Sequence, residues 1–300
     1  GNLSVGGTGK SPHVDLIIQL LLAKNKNITT LSRGYARKTN GYLVAKVSST
    51  SQDVGDEPLM FKVKHGDQIN VVVCEDRATG VKKIQESMPE NDVIILDDAF
   101  QHRKVKAGFN LLISDFSKPF YNDLLLPVGM LRESKKGAER ADLVILSKSP
   151  KDLDQEVKLS MASKCKVGVE NVFFSSIEYG DLIPITSNPI QNIKNVLVVT
   201  GIANPTPLLN HLKEKYKIDH ISFSDHHEFS QSDMDKIHEK FDTFVGHEKA
   251  IVTTEKDYMR LKKFDAILEG EIKWFYQPIE VVIDRQKEFN AVINNYVGEI

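Results

Sequence analysis

Ser4-Val5-Gly6-Gly7-Thr8-Gly9-Lys10-Ser11 decides the fold of this 300-residue chain. Small residues in this order let consecutive backbone N–H groups wrap the β- and γ-phosphates of a nucleotide. A helix pattern follows at once, in Val14, Leu16, Ile17, Ile18, Leu20, Leu21 and Leu22, and its N-terminal dipole favours the same anion. Lys10 can neutralise transferring charge, and the Ser11 hydroxyl can hold Mg²⁺. Ser4 stands where the strict pattern has Gly, yet the Gly6–Ser11 core is intact. The plain alternative is a glycine-rich turn with a solvated lysine, and the helix that follows argues against it. ATP and Mg²⁺ are the expected cofactors. Such a loop joins a buried strand to a helix, but residue 1 is Gly and almost nothing precedes the motif, so the chain is expected to be trimmed of at least one strand.

Working outward, Val93-Ile94-Ile95-Leu96 is an apolar run that ends in Asp97-Asp98. A carboxylate at the C-terminal edge of such a strand reaches Mg²⁺ or its waters, and Gln101 and His102 fall beside it. Further apolar runs at Ile28–Leu31, Ile69–Cys74, Asn110–Ile113 and Leu143–Leu146 alternate with helical stretches such as Glu57–Val63 and Ala78–Ser87. Continuous apolar strands between helices indicate a parallel sheet covered on both faces. The expected fold is α/β: a P-loop NTPase-like parallel sheet sandwiched by helices, with a second, smaller α/β domain. Boundaries are set at 1–166 for the nucleotide core, 167–192 for an extended two-stranded linker around Tyr179-Gly180-Asp181, and 193–300 for the smaller domain.

Composition narrows the partners. A net charge of −2 provides no field to recruit nucleic acid, so an anionic ligand needs a local site. Two cysteines without metal-ligand spacing, Cys74 and Cys165, fit a reducing compartment, and no apolar stretch approaches about 18 residues.

Three further segments carry chemistry. Gly55-Asp56-Glu57-Pro58 opens a helix, with Asp56 as an N-cap or as a carboxylate for an acceptor hydroxyl. Ser224-Asp225-His226-His227-Glu228-Phe229 is a surface loop, or holds a histidine that orients a carboxylate; adjacent histidines do not normally bind one zinc. Arg33, Arg77 and Arg132 sit near strand ends, where anionic substrates would need several of them.

In order, Gly1–Pro12, Leu31-Ser32-Arg33-Gly34-Tyr35, Gly55-Asp56-Glu57-Pro58, Asp97-Asp98-Ala99-Phe100-Gln101-His102, Leu126–Glu133, Asp225-His226 and Thr254-Glu255-Lys256-Asp257 resemble the blocks of the tetraacyldisaccharide 4′-kinase family. The resemblance implies phosphoryl transfer from ATP to the 4′-hydroxyl of a tetraacylated disaccharide 1-phosphate, giving lipid IVA in lipid A biosynthesis. It implies Asp56 as catalytic base or positioning carboxylate, His226 as its partner, and Asp97 and Asp98 serving Mg²⁺. Glu57, Arg77, Gln101, His102, Arg132 and Glu133 would line the site, and the second domain would close over ATP. Ala99 stands where many relatives have Gly. The implied setting is a monomer, peripheral on the cytoplasmic face of the inner membrane, with Phe116–Tyr121 and Leu124-Leu125-Leu126 offering apolar and basic residues to the lipid. The competing class is a P-loop switch acting on a protein partner; a GTP-reading Asn-Lys-x-Asp is missed by both Ser147-Lys148-Ser149-Pro150 and Glu255-Lys256-Asp257.

Overall fold

Apolar strands buried on both faces need helices over them, and the computed structural model, which describes residues 1–186, 192–246, 248–268 and 270–298, has this layering. Helix α1 (Lys10–Leu22) leaves the phosphate loop, and β1 (Ile28–Ser32) follows. After β2 (Leu43–Val44), the short α2 (Ser51–Val54) runs into α3 (Asp56–His65), then β3 (Ile69–Val73), α4 (Arg77–Ser87) and β4 (Val93–Leu96). These strands form a sheet in the order β2-β3-β1-β4, parallel except for β2. A second sheet joins β5 (Leu111–Asp115), β6 (Leu143–Ser147) and β7 (Val172–Tyr179), all parallel, with α5 (Gln155–Ala162) between the last two. Gly1 lies against β5, donating to Leu111 O while its own carbonyl accepts from Ile113.

The remaining strands are β8 (Ile183–Pro184), β9 (Asn195–Thr200), β10 (Lys217–Ser222), β11 (Lys249–Thr254), β12 (Trp274–Gln277) and β13 (Ile279–Ile283). The remaining helices are α6 (Thr206–Lys213), α7 (Gln231–Asp242), α8 (Glu255–Leu261), α9 (Asp265–Leu268) and α10 (Gln286–Gly298). The third sheet has the order β10-β9-β11-β12-β8, parallel except for its β8 edge.

The last strand and helix depart from the expected 193–300 unit. Strand β13 pairs antiparallel with β7, Ile279 opposite Tyr179. Helix α10 buries Phe289 and Ile293 in the core shared by Ile18 and Leu21 of α1, Ile145 of β6 and Phe173 of β7. The physical reason is this exposed edge of β7 and the apolar face of α1, which together bury side chains worth about 1.5–3 kcal/mol each. The expected two-stranded linker is likewise divided: β7 lies inside the second sheet and β8 on the third, so they do not pair with each other. Residues 187–191 of that stretch lie outside the described residues. The chain therefore crosses between lobes twice, near Gly180 and Pro278. Gln277 stitches the crossings together by donating to both carbonyls, at 2.7 and 3.1 Å.

Candidate active site

The phosphate loop is built by what surrounds it. Ser4 bridges to Leu131, and Val5 N–H donates to Met130 O at 2.8 Å. Gly6 and Gly9 hold positive φ, 97° and 81°, a region costly for any side chain. Gly6 and Gly7 face open space, so a ligand can approach their backbone closely. Thr8 is buried, its Oγ1 taking a 2.9 Å bond from Asn2. Lys10 and Ser11 open α1, whose first N–H groups have no intrahelical acceptor.

Opposite the loop, Asp97 ends the run of β4 and is buried at 4% exposure. Burial, then the negative charges of Glu57 and Asp98, push its carboxyl up to about 6. Asp98, at φ 45°, points to Arg132 Nη2 at 2.8 Å and Lys10 Nζ at 3.8 Å. Burial opposes its ionisation, but Arg132 and Lys10 outweigh it and hold the carboxyl below its usual value. Arg132 also reaches Asn2, Gln101 bonds Glu133 at 2.9 Å, and Arg140 closes that chain on Glu133 at 2.8 Å. Arg77 is buried with its Nη1 donating to the Cys74 and Glu75 carbonyls; burial lowers its pKa, against the charges of Asp97 and Asp98. Partial burial, followed by the charges of Arg77 and Arg33, lowers His102.

A second cluster forms at the N-terminus of α3. Asp56 is 5% exposed, and its Oδ2 lies 3.2 Å from His226 Nδ1, 3.8 Å from Arg260 Nε and 3.9 Å from Lys256 Nζ. None of these makes an aligned hydrogen bond to Oδ2, which has no partner among the described residues. Burial alone would raise this carboxyl, but His226, Lys256 and Arg260 together lower it. His226 holds φ 57° and stands edge-on to Tyr35 at 5.0 Å. A cleft of about 100 Å³ opens here, lined by Tyr35, Gln52, Asp56, His226, Glu228 and Arg260.

Glu57 joins the clusters, taking Lys256 Nζ at 3.2 Å while its charge acts on Asp97. The residues singled out from sequence thus gather in two connected groups. Lys256, Arg260, Asn2 and Arg140 were not among them. The block Thr254-Glu255-Lys256-Asp257 carried the signal for Lys256, but its helical register toward α3 is a tertiary fact. Among the described residues no three of His, Cys, Asp and Glu converge as a metal cage.

The model of the family described as tetraacyldisaccharide-1-P 4′-kinase matches residues 1–298. Tetraacyldisaccharide 4′-kinase of Bacteroides thetaiotaomicron is 41% identical over 322 residues, covering 100% of this chain and 83% of that protein. The Flavobacterium johnsoniae protein of the same name is 39% identical, with 100% and 86% covered. Among solved structures, LpxK from Aquifex aeolicus in complex with ATP superposes with a TM-score of 0.70 at 27% identity, covering 99% of this chain and 87% of that one. With its phosphate loop, paired aspartates and match along nearly its full length, this chain belongs to the tetraacyldisaccharide-1-P 4′-kinase family.

Proposed function

We propose that this protein transfers the γ-phosphoryl group of ATP to the 4′-hydroxyl of a tetraacylated disaccharide 1-phosphate. The observation that carries the reading is Asp56 Oδ2: a buried, ionised carboxylate oxygen with no hydrogen-bond partner among the described residues, next to Glu57, which Lys256 bridges to the other lobe. Such an atom can accept the proton of a hydroxyl while Lys256 and Arg260 favour its charged form until that moment. The acceptor oxygen forms a bond to the γ-phosphorus, the bond to the β-bridging oxygen breaks, ADP leaves, and the proton passes to Asp56. The loop amides and Lys10 hold the phosphates, and Arg132 keeps Asp98 turned toward Lys10. His226 orients the carboxylate from the other lobe, so that closure completes the site.

Mg²⁺ fits the donor set. Ser11, Asp97 and Asp98 offer hard oxygens, Asp97 is a buried carboxyl whose raised pKa a cation would lower, and this ion takes few protein ligands because phosphates supply the rest. When bound, it would neutralise charge on the β- and γ-phosphates. The acyl chains have an apolar edge beside the loop: Leu124, Leu125, Leu126, Val128 and Met130 are all exposed, consistent with peripheral work at a lipid surface. No helix among the described residues is long and apolar enough to cross a membrane.

The test follows labelled γ-phosphate from ATP into detergent-solubilised tetraacyldisaccharide 1-phosphate. Labelled lipid that disappears with Lys10→Ala supports the kinase. Release of free phosphate with no labelled lipid refutes it.

A further inference from the structure

Three successive carbonyls of the phosphate loop are gripped from behind by side chains that the nucleotide motif does not include. Gly7 O accepts from Lys148 Nζ. Thr8 O accepts from the buried Ser147 Oγ at 2.7 Å. Gly9 O is bonded by His13 Nδ1 at 2.7 Å, and because a carbonyl only accepts, that nitrogen carries the proton. His13 Nε2 is then the acceptor and takes the Ser175 hydroxyl at 2.8 Å, which fixes the ring on β7. In a trans peptide the N–H of the next residue points opposite to the carbonyl. Holding the Gly7, Thr8 and Gly9 carbonyls therefore fixes three peptide planes: the Thr8 N–H turns back on Gly6 O at 3.0 Å, and the Gly9 and Lys10 N–H groups point away from the gripping side chains.

Lys148 is held in its turn. Its ammonium pairs with Asp115 at 2.8 Å, and its backbone lies at φ 58°, a conformation a non-glycine residue keeps only when its surroundings dictate it. Ser147 and Lys148 follow each other at the C-terminal end of β6, and Asp115 ends β5. The rigid sheet thus reaches the flexible glycines through three short contacts.

We infer that Lys148, Ser147 and His13 are positioning residues that hold the phosphate loop in its anion-accepting shape before nucleotide arrives. This rests on the kinase reading of the loop. Preorganised donors bind more tightly because no ordering cost remains to be met on binding.

The experiment is calorimetric titration of the intact chain with ADP and Mg²⁺, joined to steady-state kinetics. Lys148 is 40% exposed at its side chain, so Lys148→Met leaves the core untouched. It is expected to weaken ADP about tenfold and raise the ATP KM alike, without moving the acceptor KM. Lys148→Arg, which keeps the donor, should restore affinity to within about threefold. Asp115→Asn separates positioning from simple attraction. If Lys148 acts through the loop, losing its anchor weakens ADP; if it acts as a charge on the phosphates, removing the neighbouring anion tightens ADP and overturns the proposal. His13→Gln, which can still donate to Gly9 O, should bind ADP more tightly than His13→Leu. Unchanged ADP affinity in Lys148→Met, or an equal loss in Lys148→Arg, also overturns it. Wild-type protein that binds no ADP removes the kinase reading itself, and the positioning role with it.

Discussion

Asp15→Ala tests how the lobe junction is held. Asp15 lies on α1, about one turn beyond Ser11 of the phosphate loop, and is buried at 6% exposure. Its carboxylate takes His65 Nε2 at 2.6 Å and Lys64 Nζ at 2.7 Å, both from the end of α3, and Gln19 at 2.9 Å. Lys64 continues to Glu255 at 4.0 Å, the first residue of α8. One ionic chain therefore ties together the helices that carry Lys10, Asp56 and Lys256. Breaking a buried pair by removing one partner costs about 3–5 kcal/mol. Lys64 keeps Glu255 and is partly exposed, which lowers that figure, whereas His65 is left with a buried unpaired nitrogen worth about 1–3 kcal/mol. The expected loss is about 3–4 kcal/mol by denaturant titration, and about half that for Asp15→Asn, which retains an acceptor oxygen. Burial pushes the Asp15 carboxyl up, but the bonds from His65 and Lys64 hold it below its usual value of 3.8. A carboxyl lowered by folding stabilises above its unfolded pKa and loses that contribution as pH falls through the folded value. Stability should thus fall on acidification below 3.8, and the Asn variant should show a flatter acid limb. A loss below about 1 kcal/mol for Asp15→Ala would refute the argument.

Asp56→Asn should lower kcat by two orders of magnitude or more with ADP affinity unchanged, in the labelled-phosphate assay and titration respectively. Lys256→Met removes a cation that helps keep Asp56 ionised, so the acid limb of kcat/KM should move to higher pH; a shift to lower pH would contradict the site. His226→Ala should cost turnover more than acceptor KM, about tenfold or more, and an unchanged rate removes it from the chemistry. Phe289→Ala, in the core that α10 shares with α1 and β7, should cost about 3–5 kcal/mol by denaturant unfolding.

Strand β6 was legible because it is buried along its whole length and reads as an unbroken apolar run; β4, half-buried at the end of its sheet, was legible from its apolar run and acidic close, and matches its sequence reading to the residue. Strand β10 went unread because it is an edge: Lys217-Ile218-Asp219-His220-Ile221-Ser222 is largely half-exposed, and its two isoleucines stand three apart, off the two-residue period of a strand. Helix α7 buries only Met234, Ile237 and Phe241 among charged residues, a thin stripe within a polar segment. Strand β13 follows β12 after one proline, so the sequence assigns it to the nearer sheet; its pairing with β7, about 100 residues earlier, is a long-range outcome. In the site, the phosphate loop and paired aspartates are local patterns and could be read. His13 and Asp15 could not, because polar residues on an apolar helix pass for its solvent side until α3 and β7 are known to cover them.

The two crossings near Gly180 and Pro278 make the second lobe an insertion between neighbouring strands, rooted on a narrow ribbon rather than a single thread. A ribbon bends across its flat face more readily than it twists or shears in its own plane. Any displacement of that lobe should then follow one arc, carrying His226, Lys256 and Arg260 along a single path relative to Asp56. A probe joined after α10 would ride on the phosphate-loop lobe, while one at the exposed Val245 would ride on the other. The distance between such probes becomes a direct gauge of position along that arc.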